Sequence, residues 1–220
     1  MMEFTINNID TIIIKLRELT ENFVIPSVTS MALDKVSPFE ILISTLLSLR
    51  TKDETTYEVS LKLFEIANTP QKILNITDKE LQKIIFKTGF YRNKAKTLKH
   101  VSQEIINKYD GNVPDSIEEL LTINGIGRKT ANLVVIKAYN KPGICVDTHV
   151  HRISNRIGFV NTKNADKTEF ALRKTLPKKY WCEINDILVK HGQNICRPIS
   201  PKCNLCNITQ YCKHFLIEKN

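Results

Sequence analysis

The sequence LLTINGIGRKTA occupies residues 120–131. Two glycines, Gly125 and Gly127, separate an apolar segment from a second helical pattern that continues to about Tyr139. Because glycine accepts positive φ values and lets other groups approach the backbone closely, this arrangement predicts two helices joined by a tight turn. The first helix is expected at about residues 116–121 and the second at 128–139.

Two cations follow this turn. Arg128 and Lys129 fall in the first turn of the second helix, where the helix dipole disfavours a cation by about 0.3–1 kcal/mol. Backbone amides at such a start can hold a phosphate, so the stretch is typical of a helix-hairpin-helix that contacts DNA without reading its sequence. An ordinary turn between helices is the alternative, since one Gly-x-Gly is weakly specific. The unfavourable position of Arg128 favours phosphate binding, and Lys129 has either the same role or a chemical one.

Helix signals also dominate the rest of the chain, and no segment alternates apolar and polar residues as a strand would. Capping boxes at residues 37–40 and 77–80 predict helix starts, the first with Pro38 at the first helical position. Further helices are predicted at residues 92–109, 148–157, 165–176 and 180–191. The expected fold class is therefore all-α.

The composition limits the possible classes of protein. Lys and Arg number 32 against 23 Asp and Glu, a formal net charge of +9 in 220 residues. This excess favours a polyanionic partner such as nucleic acid or an anionic membrane surface. No secretory signal is visible, and no apolar run reaches the ~20 residues that a bilayer requires. We therefore expect an intracellular protein without a membrane segment, whose cysteines stay reduced.

Four of the six cysteines lie within residues 196–212, at Cys196, Cys203, Cys206 and Cys212. Such a loop allows four thiolates to converge on one metal centre. Structural zinc usually uses two closely spaced cysteine pairs, whereas this segment has one CxxC flanked by wider gaps. The spacing therefore modestly favours an iron-sulfur cluster over zinc. Four unrelated buried or disulfide-paired thiols are a third interpretation, which a reducing compartment disfavours.

A further polar position, Asp147, lies in the sequence VDTHVHR at residues 146–152. An aspartate directly before a helical segment commonly caps that helix, and capping alone explains an isolated Asp. A carboxylate presented near an amine in a basic cleft is also what the cleavage of a glycosidic bond needs. Both roles remain open from the residues alone.

Taken together, the hairpin, the aspartate segment and the cysteine loop resemble the endonuclease III family, the bifunctional DNA glycosylase/AP lyases of the helix-hairpin-helix superfamily. The resemblance spans about residues 37–212. It implies that Lys129 is the nucleophile, that Asp147 is its acidic partner, and that the four cysteines hold a 4Fe-4S cluster, with zinc as the alternative. It also implies base excision repair of oxidised or damaged pyrimidines. The implied DNA contacts are Gly125, Gly127, Arg128, Thr130, Arg50 and Phe90.

The family fold implies two helical lobes with DNA bound across the groove between them. Residues 1–36 would form the N-terminal helix of the cluster lobe, and residues 37–147 the central lobe with the hairpin at 116–139. Residues 148–220 would complete the cluster lobe with the loop at 196–212. The expected partner is double-stranded DNA that contains a damaged base or an abasic site, and the protein is expected to be a monomer that binds no membrane.

Three positions depart from the family pattern. Asn124 stands where the family hairpin usually has proline, although asparagine also tolerates turn conformations. Arg50 and Phe90 stand where bacterial members commonly have Gln and Leu, in loops that insert into the gap left by a flipped nucleotide. Arg50 could bond the orphaned base and Phe90 could stack in the gap. A core aromatic is the alternative for Phe90.

Overall fold

The computed structural model describes residues 8–218. All regular elements among these residues are helical, which confirms the all-α prediction. Residues 1–7 of the predicted segment 1–36 and residues 219–220 of the predicted segment 148–220 lie outside the described part. In chain order the α-helices are α1 (Ile9–Thr20), α2 (Ser27–Leu33), α3 (Pro38–Ser48), α4 (Asp53–Ile66), α5 (Pro70–Asn75), α6 (Asp78–Ile84), α7 (Tyr91–Tyr109), α8 (Ile117–Leu120), α9 (Arg128–Tyr139), α10 (Thr148–Ile157), α11 (Ala165–Thr175), α12 (Ile184–Asn194) and α13 (Lys213–Glu218).

The chain forms two compact units. Residues 26–141 form the central unit, which contains α2 to α9. The terminal unit combines residues 8–25 with residues 142–218 and contains α1 and α10 to α13. Among residues 8–218, no helix has both the length and the apolar composition needed to span a membrane.

Helix α3 is the centre of the central unit. Its capping box forms as predicted, because the Ser37 hydroxyl accepts from the Glu40 amide at 3.3 Å and the Glu40 carboxylate accepts from the Ser37 amide at 2.7 Å. The helix is apolar on nearly every side and packs against α2, α4, α7 and α9. Its buried hydroxyls have partners: Thr45 donates to the Ile41 carbonyl of the same helix at 2.8 Å, and Ser44 donates to the Met31 sulfur on α2 at 2.9 Å.

The central unit begins at Pro26, whereas the sequence placed its start at residue 37. The difference arises because α2 packs against α3, α4 and α9. The Asp53 carboxylate at the start of α4 also accepts from the Ser27 hydroxyl at 2.9 Å and from the Ser27 amide at 3.2 Å. These contacts attach residues 26–36 to the central helices.

The terminal unit is built around α1, α10 and α12. Its apolar core includes Ile13, Leu16, Val150, Ile153 and Leu188, all fully buried. Ile144 and Val146 belong to the same core, so the chain enters this unit at residue 142 rather than at 148. Burial of these two side chains fixes the segment that leads into Asp147.

Candidate active site and cysteine loop

The hairpin between α8 and α9 is anchored by its apolar residues. Ile123 and Ile126 are buried, and the Ile126 amide donates to the Ile123 carbonyl at 3.1 Å. Gly125 has a φ of +99°, and a Cβ at this position would lie 3.0 Å from the Thr97 Cγ2 atom on α7. The fold therefore requires glycine here, both for backbone conformation and for packing space.

The second glycine of the hairpin, Gly127, is different. It precedes α9 with φ −94° and ψ 173°, an extended conformation open to any residue. No heavy atom outside its chain neighbours lies within 4 Å of where its Cβ would be. The fold leaves open space in front of this glycine, which is the space that an approaching ligand can use.

Helix α9 begins with Arg128, Lys129 and Thr130. The N-cap residue is Gly127, which has no side chain to cap this start, and the first turn contains no acidic residue. Arg128 and Lys129 are partly exposed, whereas Thr130 is 2% exposed. Arg128 and Lys129 are therefore the more accessible residues of this first turn.

Asp147 caps α10. Its Oδ1 atom accepts from the Val150 amide at 2.8 Å, and its backbone carbonyl accepts from the His151 amide at 3.0 Å. The residue is partly exposed. The capping role that the sequence predicts is confirmed, and the cap fixes the direction in which the carboxylate points from the start of α10.

Arg50 and Phe90 occupy two loops of the central unit with positive φ values of 54° and 59°. Phe90 is 61% exposed, so it is not a core aromatic. The Arg50 guanidinium lies over the Phe90 ring, with its central carbon 5.2 Å from the ring centroid. The structure brings these two predicted residues into contact.

The four cysteines of residues 196–212 line one pocket in the terminal unit. Apolar side chains share this lining, among them Ile153, Ile157, Ile195 and Ile208. The four thiols are free of disulfides. Within the part of the chain that the structure describes, no three His, Cys, Asp or Glu side chains are grouped as ligands of a metal ion.

Two arginines of α10 attach the cysteine loop to the terminal unit. Arg156 donates to the carbonyls of Arg197 and Pro198 at 2.6 and 2.8 Å and to the Cys196 Sγ atom at 3.4 Å. Arg152 donates to the Cys196 carbonyl at 2.8 Å. Sequence reasoning missed both residues, although their i, i+4 spacing places them on one face of the predicted helix at 148–157.

The pocket also includes a buried histidine. His191 is 1% exposed, and its Nε2 atom lies 3.9 Å from the Cys206 sulfur. Burial, with a smaller contribution from Arg152, lowers the pKa of His191 to about 4. Burial raises the pKa of the Cys206 thiol to about 11, and it also raises the pKa of Cys212. Thiols in such surroundings become thiolates when a metal centre supplies positive charge, so this donor set fits a thiolate-bound metal group.

The chain is similar to known DNA repair proteins. Residues 43–178 match the family model of the HhH-GPD superfamily base excision DNA repair proteins. The endonuclease III of Thermotoga maritima is 46% identical over 181 residues, which are 82% of this chain and 85% of that protein. The endonuclease III of Haemophilus influenzae is 36% identical over 81% of this chain and 84% of its own length.

Two solved structures are similar over nearly the whole chain. A non-covalent endonuclease III–DNA complex has a TM-score of 0.87 at 32% identity and covers 98% of both chains. A trapped endonuclease III–DNA covalent intermediate with an estranged adenine has a TM-score of 0.86 at 31% identity, over 98% of this chain and 99% of the other. The chain therefore belongs to the endonuclease III family of the HhH-GPD superfamily.

Proposed function

We propose that this protein is a bifunctional enzyme of base excision repair that acts on genomic DNA within the cell. It removes an oxidised or damaged pyrimidine from double-stranded DNA and then cleaves the strand at the resulting abasic site. The observation that carries this proposal is the start of α9, where two cations follow an uncapped glycine turn. Membership of the endonuclease III family supports it.

Lys129 is the proposed nucleophile. Its neutral amine attacks C1′ of the damaged nucleotide, and the N-glycosidic bond breaks, so that the base leaves with the bonding electron pair and is protonated. The attacking nitrogen loses one proton, and its lone pair then expels the ring oxygen O4′, which takes up a proton. The C1′–O4′ bond breaks in this step, and the product is a protonated Schiff base between Nζ and C1′. Loss of a proton from C2′ then expels the 3′ phosphate by β-elimination, and water releases the lysine.

Asp147 is the proposed acidic partner. Positive charge develops on the sugar as the base departs, and a carboxylate held in a fixed direction stabilises that charge without reorganisation. The bond from the Val150 amide to Oδ1 holds the carboxylate in this way. The same residue also accepts the proton of the attacking amine in this proposal.

The hairpin, Arg50 and Phe90 are the proposed DNA contacts. Amides near Gly125 and Gly127, together with Arg128 and the first turn of α9 at Thr130, hold one backbone phosphate. Extruding a nucleotide leaves a gap in the duplex, at a cost of a few kcal/mol for unstacking and unpairing. Phe90, which is exposed, stacks in this gap, and the guanidinium of Arg50 bonds the orphaned base.

Cys196, Cys203, Cys206 and Cys212 are the proposed ligands of a 4Fe-4S cluster. Four thiols around one apolar pocket and an arginine donor to a sulfur fit an anionic cluster, and such N–H donors also tune cluster potentials. When bound, the cluster would crosslink the loop at four points. Absorbance near 400 nm with iron and sulfide in equal amounts supports the cluster, whereas a colourless protein with one tightly bound zinc contradicts it.

Borohydride trapping tests the catalytic proposal. On a duplex with one abasic site, the native protein should form a covalent adduct, and Lys129→Ala should lower the yield by at least about 1,000-fold. Lys137→Ala is the matched control, because it removes a lysine from the same helix α9. Trapping and strand cleavage that persist in Lys129→Ala contradict the assignment of the nucleophile.

A further inference from the structure

The loops that carry Arg50 and Phe90 both adopt unfavourable backbone conformations. A positive φ at a residue with a side chain costs about 1 kcal/mol or more, and such a conformation persists only where its surroundings enforce it. Arg50 follows α3 and Phe90 precedes α7, at φ values of 54° and 59°. Something in the central unit must therefore hold both loops.

A buried lysine of α7 lies beneath the two loops. Lys94 is 8% exposed, and its Nζ donates to the Leu47 carbonyl at 2.6 Å and to the Thr51 hydroxyl oxygen at 2.7 Å. The first bond reaches the last turn of α3, where a cation also complements the helix dipole. The second bond reaches the residue directly after Arg50.

The Thr51 hydroxyl oxygen connects this lysine to the second loop. It accepts from the Gly89 amide at 3.2 Å, directly before Phe90. The two loops are in backbone contact at this point, since a Cβ on Gly89 would lie 2.5 Å from the Arg50 carbonyl oxygen. Lys94, Thr51 and Gly89 thus join the end of α3 to the start of α7.

The burial of the Lys94 ammonium group lowers the stability of the protein, and this favours a functional reason for the lysine. Burial lowers the pKa of Lys94 to about 8, and both acceptors of the ammonium are neutral oxygens. An apolar residue at this position would avoid the cost of burying a charge. The amine is bonded on the inside of the loops, so it is badly placed to attack DNA.

We propose that Lys94 and Thr51 are positioning residues that hold the two loops so that Arg50 and Phe90 enter the gap beside an extruded nucleotide. The inference rests on the gap-filling role proposed above for Arg50 and Phe90. Positioning matters most when a paired base must be extruded from an intact duplex. It matters less on a preformed abasic site, where the unpaired nucleotide is extruded at lower cost.

Thr51→Val tests this inference, because it removes the hydroxyl and keeps the side-chain shape. The single-turnover rate of excision of a damaged pyrimidine should fall about tenfold, because Arg50 and Phe90 would no longer be held in position beside the extruded nucleotide. Cleavage of a duplex with a preformed abasic site should change less than about twofold. Thr51→Ser should restore excision, and Lys94→Met should behave like Thr51→Val. If Lys94→Met fails to fold, Thr51→Val decides the question alone.

Thr20→Val is the matched control, since the buried Thr20 hydroxyl bonds within α1, to the Leu16 and Arg17 carbonyls, and lies in a different unit from the two loops. Equal losses of excision and abasic-site cleavage in Thr51→Val overturn the inference, because a general loss of stability has that signature. The effect should also vanish in a Phe90→Ala and Arg50→Ala double-variant background. A full tenfold effect in that background overturns it as well.

The same measurements separate this inference from the one on which it rests. Excision that is unchanged in both Arg50→Ala and Phe90→Ala contradicts the gap-filling role. Excision that falls in those variants but not in Thr51→Val contradicts only the positioning role of Thr51 and Lys94.

Discussion

Helices α3 and α9 pack against each other in the central unit but begin in opposite ways. The start of α3 has a complete capping box, Pro38 at the first position and an acid, Glu40, in the first turn. The start of α9 has no capping side chain and no acid, and Arg128 and Lys129 occupy its first turn. One start follows every local rule of helix stability, and the other departs from most of them.

The difference has a measurable cost. A capping side chain is worth about 1 kcal/mol, and each cation in a first turn opposes the helix dipole by about 0.3–1 kcal/mol. The central unit stabilises α9 instead through buried residues such as Ala131, Val134 and Val135. Departures from the local rules of helix stability concentrate at functional sites. We therefore expect an anion to bind at the start of α9.

Helix α10 has a capped start whose capping residue is also proposed to act on DNA, and among these helix starts it gives the largest expected effect. Asp147 caps it as an ordinary acid would, and we propose that the same carboxylate also acts in excision. Asn caps as well as Asp, so Asp147→Asn should leave the melting temperature nearly unchanged while lowering single-turnover excision about 100-fold.

Asn164 provides the matched control for this variant. It caps α11 through a bond from the Lys167 amide to its Oδ1 atom at 2.9 Å. Asn164→Asp should therefore change neither the melting temperature nor excision. If Asp147→Asn excises bases at the native rate, Asp147 is only a cap.

Substitutions at the two hairpin glycines should have the next largest effects, and they separate protein stability from affinity for DNA. Gly127→Ala meets open space in the protein, so the free energy of unfolding in urea should change by less than about 0.5 kcal/mol. Affinity for a duplex with an abasic-site analogue should fall about tenfold, because the added methyl lies where the phosphate would approach. Fluorescence anisotropy at fixed salt measures the affinity.

Gly125→Ala should show the opposite pattern, in which the protein loses stability rather than affinity for DNA. Its φ of +99° and the 3.0 Å approach to Thr97 require strain, and the free energy of unfolding should fall by about 1–2 kcal/mol. Native affinity in Gly127→Ala would show that the open space at the start of α9 is not used by DNA.

Local signals in the sequence were enough to predict the elements that carry the site. Helices α9 and α10 have the predicted bounds, 128–139 and 148–157, because a glycine or a capping aspartate starts each and a left-handed residue, Asn140 or Gly158, ends it. The helix predicted from residue 180 instead begins at Ile184, since residues 178–180 form a 3-10 turn after Pro177.

The supporting residues of the site could not be predicted in this way. Helical spacing places Lys94 on the apolar face of α7, in register with Leu98 and Val101, but it does not show that two loops provide acceptors for its ammonium group. Arg152 and Arg156 acquire their role only when residues 196–198 fold back against α10. Periodicity shows which helix face each residue occupies, but contacts between residues distant in sequence decide what it bonds there.

The smallest expected effect comes from the ordinary start, that of α3. Ser37→Ala removes the oxygen that accepts from the Glu40 amide, and it should lower the free energy of unfolding by about 1 kcal/mol. Because the buried face of α3 still packs against α9, affinity for DNA and the yield of borohydride trapping should stay within twofold of native, about 0.4 kcal/mol. A Ser37→Ala protein that loses DNA affinity as strongly as Gly127→Ala would mean that global stability, and not the open start of α9, governs binding.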